Sequence, residues 1–412
     1  MVDVAQIVVD LDPDLKDAFL EAAKAEDRAP SAIVREFIID YIHGREPAPE
    51  YLEFLERKVA LALGRVLEEW GFSVELRDSG SDRPNLVARI GRADAPAIMF
   101  AGHLDTVGVE GMTHDPFSGD IKGGRLYGRG SCDMKSGLAA MCVAALSASR
   151  QAGNATARQI VIAAVTDEEY ESLGMRALLD SGVRAEYAIL TEPTRLAICP
   201  AHRGFVWSEI EFTGRAAHGS RWDIGVDAIR HAGLVLAEID ELDAGALKKR
   251  KHPLLGRGSI HASTIVGGIG MSTYPDKCIL RIERRTIPGE SADHSLDELR
   301  AICERVRARR PELDATIRLI AAQEPSDVDV GSPVVRTLAK ALEAEQLDAP
   351  IEGLSAWTDA ALLNAAGIPA VCFGPGDIAL AHAAEEFVPV DEIGKAARVL
   401  TRVATDWMME KE

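Results

Sequence analysis

The chain has 412 residues, 47 % of them apolar and 27 % charged, enough to bury a substantial core in roughly two or three domains. Its net charge of -19 repels phosphate backbones and anionic membranes, which argues against both as partners and for a small-molecule substrate. The six cysteines (Cys132, Cys142, Cys199, Cys278, Cys303, Cys372) are scattered without a CxxC pair, no stretch reaches ~18 apolar residues, and the N-terminus lacks the basic start of a secretory signal; a cytoplasmic protein with free thiols is predicted.

Residues 1–45 read as a separate segment, closed off by Pro47 and Pro49. The strand QIVVDLDP, a helix over 14–25, Pro30-Ser31 as a helix start and a second helix over 32–42 resemble a ribbon-helix-helix unit. Strands that read the major groove normally present basic or polar side chains to it. This strand carries Gln6 but no Lys or Arg, and the segment holds ten acids against five bases. An oligomerisation element is therefore expected rather than a DNA-binding one, with a plain amphipathic helical extension as the alternative.

Further along, AIMFAG (97–102), IVIAAVT (160–166), YAIL (187–190) and the run 368–373 are short and continuously apolar, as expected of strands buried on both faces of a parallel sheet. Polar or glycine residues follow at once: His103, then Asp167, Glu168 and Glu169, then Thr191 and Glu192, and lastly Gly374. Helical stretches over 135–149 and 175–181 lie between the runs, giving the alternation of a doubly wound α/β sheet. Ligands of such sheets bind in the crevice beyond the strand C-termini, so these segments can converge.

The middle of the chain predicts a strand over 205–213, a helix over 225–242, strands over 259–266 and 277–286, a helix over 296–309 and a strand over 315–320. That βαββαβ order is ferredoxin-like. It is inserted within the α/β domain, with hinges at Gly204 and in 323–331. Three units result: 1–45, a catalytic domain of 46–204 with 323–412, and the inserted domain 205–322.

GHLDTV places His103 and Asp105 two residues apart at a strand end, so that the carboxylate can hold the second imidazole nitrogen. GRGSCDMKSG offers Asp133 in a glycine-rich turn, TDEE the adjacent carboxylates Glu168 and Glu169, TEPT Glu192, and AHAAEE His382. Each piece alone fits a helix cap, surface charge or a satisfied histidine. Together, two imidazoles and three carboxylates (His103, Asp133, Glu169, Glu192, His382) suit two Zn²⁺, Mn²⁺ or Co²⁺ ions ~3.5–4 Å apart, sharing a hydroxide.

The ordered set HLDTV, GRGSCDMKSGLA, TDEE, TEPT, AAHGS, ERRTIPGE, and GPG with AHAAEEFVPV resembles the family of acetylornithine deacetylase, succinyl-diaminopimelate desuccinylase, aminoacylase and the glutamate-releasing carboxypeptidases. The resemblance spans residue 50 to the C-terminus. It implies that His103 and Glu192 hold one ion, Glu169 and His382 the other, and that Asp133 bridges them. Asp105 would then orient His103, and Glu168 would be the general base. His218, in AAHGS on the inserted lid, would reach across a homodimer to stabilise the oxyanion. Arg285 would meet a substrate carboxylate, with an ion pair to Glu283 as the competing account.

Two departures from the family pattern stand out. Tyr170 and Glu171 replace a small turn after the paired glutamates, and SRW, with Trp222, replaces SRP. An aromatic or planar substrate is one consequence; core packing of Trp222 is the other. The expected activity is deacylation of an N-acyl amino acid or small peptide-like amide. The alternatives are removal of nitrogen from an aromatic amine at the same site, and a catalytically silent ligand-sensing regulator. Dimerisation through the lid and association through 1–45 would together build an assembly larger than a dimer.

Overall fold

The computed structural model describes residues 49–79, 83–153 and 156–410; the ribbon-helix-helix expectation for 1–45 lies outside them. Helix α1 (Pro49–Glu69) leads into strands β1 (Ser73–Asp78), β2 (Pro84–Gly91) and β3 (Ala97–His103). A hairpin of β4 (Ile121–Lys122) and β5 (Arg125–Tyr127) follows, then a tight turn over Ser131–Lys135 and helix α2 (Ser136–Ala152). Next come β6 (Gln159–Val165), α3 (Leu173–Asp180), β7 (Ala188–Leu190) and β8 (Ile198–His202). The middle of the chain forms β9 (Gly204–Thr213), α4 (Ala228–Leu242), β10 (Ser259–Gly267), β11 (Lys277–Thr286), α5 (Ala292–Arg309) and β12 (Asp314–Gln323). It closes with β13 (Ser326–Asp327), α6 (Pro333–Ala344), β14 (Ile351–Leu354), α7 (Ala360–Ala365), β15 (Ala370–Cys372), β16 (Phe387–Pro389) and α8 (Val390–Met409).

The central sheet runs β1-β2-β6-β3-β7-β15-β8-β13, with β14 beside β8. Its heart, β6-β3-β7-β15, is parallel, while β1, β2, β8 and β13 add antiparallel flanks. The unbroken apolar runs are explained by alternation, which sends successive residues to opposite, equally buried faces. Ile98, Phe100, Ile160 and Ile162 pack with Met141, Ala145, Leu400 and Val403 of α2 and α8. Met99, Ala101, Val161 and Ala163 pack instead with Met175 and Leu178 of α3 and with Ala360 and Leu363 of α7. Because β3, β6 and β7 are parallel, their C-terminal ends emerge along one edge.

In the middle of the chain the strands form a second, antiparallel sheet, β10-β11-β9-β12. Ile210, Phe212, Leu280 and Ile282 face Val235 and Ile239 of α4 and Ile302 and Val306 of α5. Both helices start at side-chain caps: Asp227 accepts the Arg230 N–H at 2.8 Å and Ser291 the His294 N–H at 3.2 Å. The elements follow one another in the βαββαβ order. Entry and exit of this unit touch: a Cβ at Gly204 would lie 2.4 Å from the Gln323 carbonyl oxygen and 2.5 Å from the Pro325 nitrogen. A third small sheet, β16-β5-β4, ties the C-terminal segment to the hairpin.

Candidate metal centre

Each cluster residue owes its place to the strand or turn that ends there. His103 closes β3 and is 1 % exposed. Its Nδ1 donates to the Asp105 main-chain carbonyl at 3.1 Å, with Asp105 Oδ1 at 3.5 Å, which leaves Nε2 facing Asp133 Oδ1 at 3.0 Å. Asp105 also steadies the next segment, since its Oδ2 accepts the Glu169 N–H at 3.0 Å.

After β6 the TDEE turn is built by Asp167, which adopts φ 65°. Its Oδ1 accepts Arg83 Nη1 at 2.7 Å, its Oδ2 accepts the N–H groups of Glu171 and Leu173 at 3.3 and 3.1 Å, and its carbonyl accepts the Ser172 N–H at 2.6 Å. With the first acid of the run spent on the turn, Glu168 and Glu169 are free to project. Glu169 reaches His382 Nε2 at 3.0 Å. His382 itself stands in a left-handed backbone conformation, φ 60°, and keeps half its surface exposed.

Asp133 lies between the two imidazoles. One of its oxygens is 3.0 Å from His103 Nε2 and the other 3.6 Å from His382 Nε2. Ligand atoms of His103, Asp133 and Glu169 all fall within 4.8 Å of one another. Glu192, at the end of β7 and 3 % exposed, feels the charges of His103, Asp133 and Glu169.

The electrostatics show which group the donor set fits. Burial pushes the Glu168 and Glu192 carboxyls well up; His103 opposes the rise and the neighbouring carboxylates add to it. Burial and Asp133 raise Glu169 in the same way. Burial alone would keep His103 neutral, but the flanking Asp105 and Asp133 carboxylates overcome it and hold the imidazole well above its usual range. A pocket crowded with oxygen anions and two imidazoles is discharged by cations, so the donor set fits divalent metal.

Three further residues escape sequence reading. Lys135 sends its Nζ under the site to the Leu104 carbonyl at 2.8 Å. Glu386, fully buried, accepts the Cys132 and Asp133 N–H groups at 2.9 and 3.2 Å. Asp359 is 1 % exposed, and burial pushes it up to about 7 against the pull of Ser172 and His103. Neither Asp359, directly before α7, nor Glu386, beside Glu385, has a spacing in the sequence that marks it.

His218 is exposed, its Nδ1 2.8 Å from Ser220 Oγ and its backbone bridged to Thr273. Arg285 makes the competing ion pair, Nη2 to Glu283 Oε1 at 2.7 Å, with its guanidinium 5.6 Å from the Phe205 ring centre. Trp222 and Tyr170 are 80 % and 72 % exposed, which removes the core-packing account of Trp222. All six cysteines are buried and unbridged.

The family described as Peptidase family M20/M25/M40 matches residues 99–406. Acetylornithine deacetylase of Myxococcus xanthus is 32 % identical over 349 residues, 82 % of this chain and 88 % of that protein. N-formyl-4-amino-5-aminomethyl-2-methylpyrimidine deformylase of Bacillus subtilis is 27 % identical over 377 residues, 84 % of this chain and 88 % of that protein. Among solved structures, the Bacillus subtilis YXEP protein, described as a dinuclear metal binding peptidase, superposes with a TM-score of 0.67 at 17 % identity, over 87 % of this chain and 94 % of that one. The match spans both halves of the central sheet and the unit between them, and on it the chain belongs to peptidase family M20/M25/M40 and is a hydrolase of C–N bonds.

Proposed function

We propose that the protein is a two-metal deacylase that hydrolyses the amide of an N-acyl amino acid or a small peptide-like substrate. The observation that carries this reading is Asp133, with one carboxylate oxygen turned to His103 and the other to His382, the disposition of a bridging ligand. His103 and Glu192 would complete one site, Glu169 and His382 the other. Zn²⁺, Mn²⁺ or Co²⁺ bound there would supply acidification of the attacking water and a positive field for the carbonyl oxygen.

The chain's own residues do the rest. Asp105 fixes the ring of His103 and the backbone of Glu169. Glu168, not required as a ligand, takes a proton from the attacking water and returns it to the leaving amine, and its burial keeps that proton from bulk solvent between the two steps. Arg285 offers a guanidinium to the substrate carboxylate in exchange for Glu283.

His218 would act from a second copy. Its support is the exposed apolar edge of β10 and the loop beyond it, Ile265, Val266, Ile269 and Met271, which suits pairing with an identical edge. Among the described residues no helix is long and apolar enough to cross a membrane. Six buried, unbridged thiols support a reducing cytoplasm.

A second reading is removal of a nitrogen-bearing group from an aromatic compound. It is favoured by the exposed rings of Trp222 and Tyr170; the relative named as a deformylase of a pyrimidine supports an aromatic substrate too, but by the amide chemistry of the first reading. The silent-sensor reading leaves the clustering of ligands and base without a purpose. One panel separates them: N-acetylornithine, N-succinyl-diaminopimelate, dipeptides and aryl amines, each with metal-stripped enzyme and with Zn²⁺, Mn²⁺ or Co²⁺ restored. Amine release from the first three groups is expected, and only with metal. Release from aryl amines alone would favour the second reading, and silence across the panel at two metal equivalents would rule out both.

A further inference from the structure

Of the buried groups the mechanism does not use, Arg129 and Glu386 have the most specific connections. Glu386 is fully buried and lies on the segment that presents His382, four residues before it. Its Oε2 accepts Arg129 Nη1 at 2.5 Å, and its Oε1 accepts the N–H groups of Cys132 at 2.9 Å and Asp133 at 3.2 Å. Arg129 is itself buried and sends Nε to the Gly108 carbonyl at 2.8 Å, on the loop that follows His103 and Asp105. The backbone adds to the same junction, with the Gly128 N–H donating to the Glu386 carbonyl at 3.3 Å and the Thr113 N–H to the Ala384 carbonyl at 2.9 Å. One ion pair thus touches all three segments that carry His103, Asp133 and His382.

A buried ion pair is a poor source of stability, because the cost of desolvating two charges offsets most of their attraction. What it does supply is geometry. A carboxylate whose two oxygens are committed to three donors cannot turn, and two of those donors are the N–H groups of Cys132 and of Asp133 itself. Asp133 has its two oxygens turned to two imidazoles on other segments, so small shifts of its backbone would spoil both contacts.

We propose that Arg129 and Glu386 are positioning residues of the metal centre: the pair holds Asp133 between the two histidines and docks the His382 segment against it. The proposal rests on the two-metal reading above. Partners that orient a ligand typically govern metal affinity by roughly 10–100-fold.

The test is a Co²⁺ titration of the metal-stripped, full-length protein, followed by the cobalt absorption band and by competition with a chelator, for wild type, Glu386→Gln and Arg129→Lys. Glu386→Gln keeps a neutral acceptor for the two amides but loses the charge; Arg129→Lys keeps the charge but loses the link to Gly108. Affinity roughly 10–100-fold weaker in Glu386→Gln, with a smaller loss in Arg129→Lys and an unchanged KM once metal is saturating, supports the proposal. Affinities equal to wild type in both folded variants overturn it. So does a variant that stays unfolded in saturating Co²⁺, which would assign the pair to fold stability alone. Wild-type protein that takes up no Co²⁺ would instead sink the metal reading itself, so the two failures are told apart.

Discussion

Glu168 and Glu169 are sequence neighbours with different surroundings: Glu169 pairs with His382, whereas Glu168 has burial and repelling carboxylates about it. Glu168→Gln is expected to keep its metal and lose turnover by about 10²–10⁴, while Glu169→Gln loses metal at one site. Metal analysis giving the opposite pattern would exchange their roles. Away from the centre, burial lowers the pKa of His202 to about 4, although its contact with the Arg203 carbonyl opposes the shift. The folded state then binds fewer protons than the unfolded chain between pH 4 and 6.5, so stability rises with pH across that window. The group costs the fold about 3 kcal/mol below pH 4 and nothing above 6.5. Replacing it in His202→Leu should flatten the slope of denaturant midpoints between those limits, and an unchanged slope would show that the imidazole does not titrate there. The clustering of His103, Asp133, Glu169 and His382 is legible in the sequence because strand ends and glycine turns single out polar residues. Glu386 is not legible: its burial is decided by Arg129, 257 positions away, and by two peptide groups that no spacing rule reveals.

At the level of elements, the parallel strands are read from their unbroken apolar runs, and the βαββαβ segment from its alternation and helical periodicity. The edges are harder. β1 is largely exposed and β4, β5, β13 and β16 are two or three residues long, so their pairing partners rather than their composition define them. Close packing between elements is equally silent in sequence. Gly137, in the first turn of α2, lets that helix lie against the residue before Glu192: a Cβ there would sit 2.0 Å from the Thr191 carbonyl oxygen. Gly137→Ala therefore forces α2 away from β7 and displaces Glu192, at a cost of roughly 3 kcal/mol. Both a lower denaturant midpoint and weaker metal uptake are expected. Normal values for both would mean that the helix has slack the packing does not show.

For the whole molecule, the open question is how many copies make an active site. Charging the exposed edge of β10 tests it, because Val266 is 67 % exposed and its replacement asks little of the isolated chain. Val266→Asp should halve the mass seen by light scattering and abolish turnover while leaving metal content intact. A monomer with full activity would show that His218 is not supplied by a second copy.

The contact at Gly204 has a consequence for how such a chain can be taken apart. Phe205 and Gln323 are paired across β9 and β12, so the two points where the middle unit joins the rest are separated by one strand spacing, about 5 Å. A link of one or two residues bridges that gap, since each peptide spans about 3.8 Å. To the outer sheet, more than a hundred intervening residues are then equivalent to a single tight turn. The outer sheet can close its own topology without them, and the cost of exchanging the unit between falls on the one place where it packs on that sheet, Leu254, Leu255 and Ile287 against Ala201 of β8.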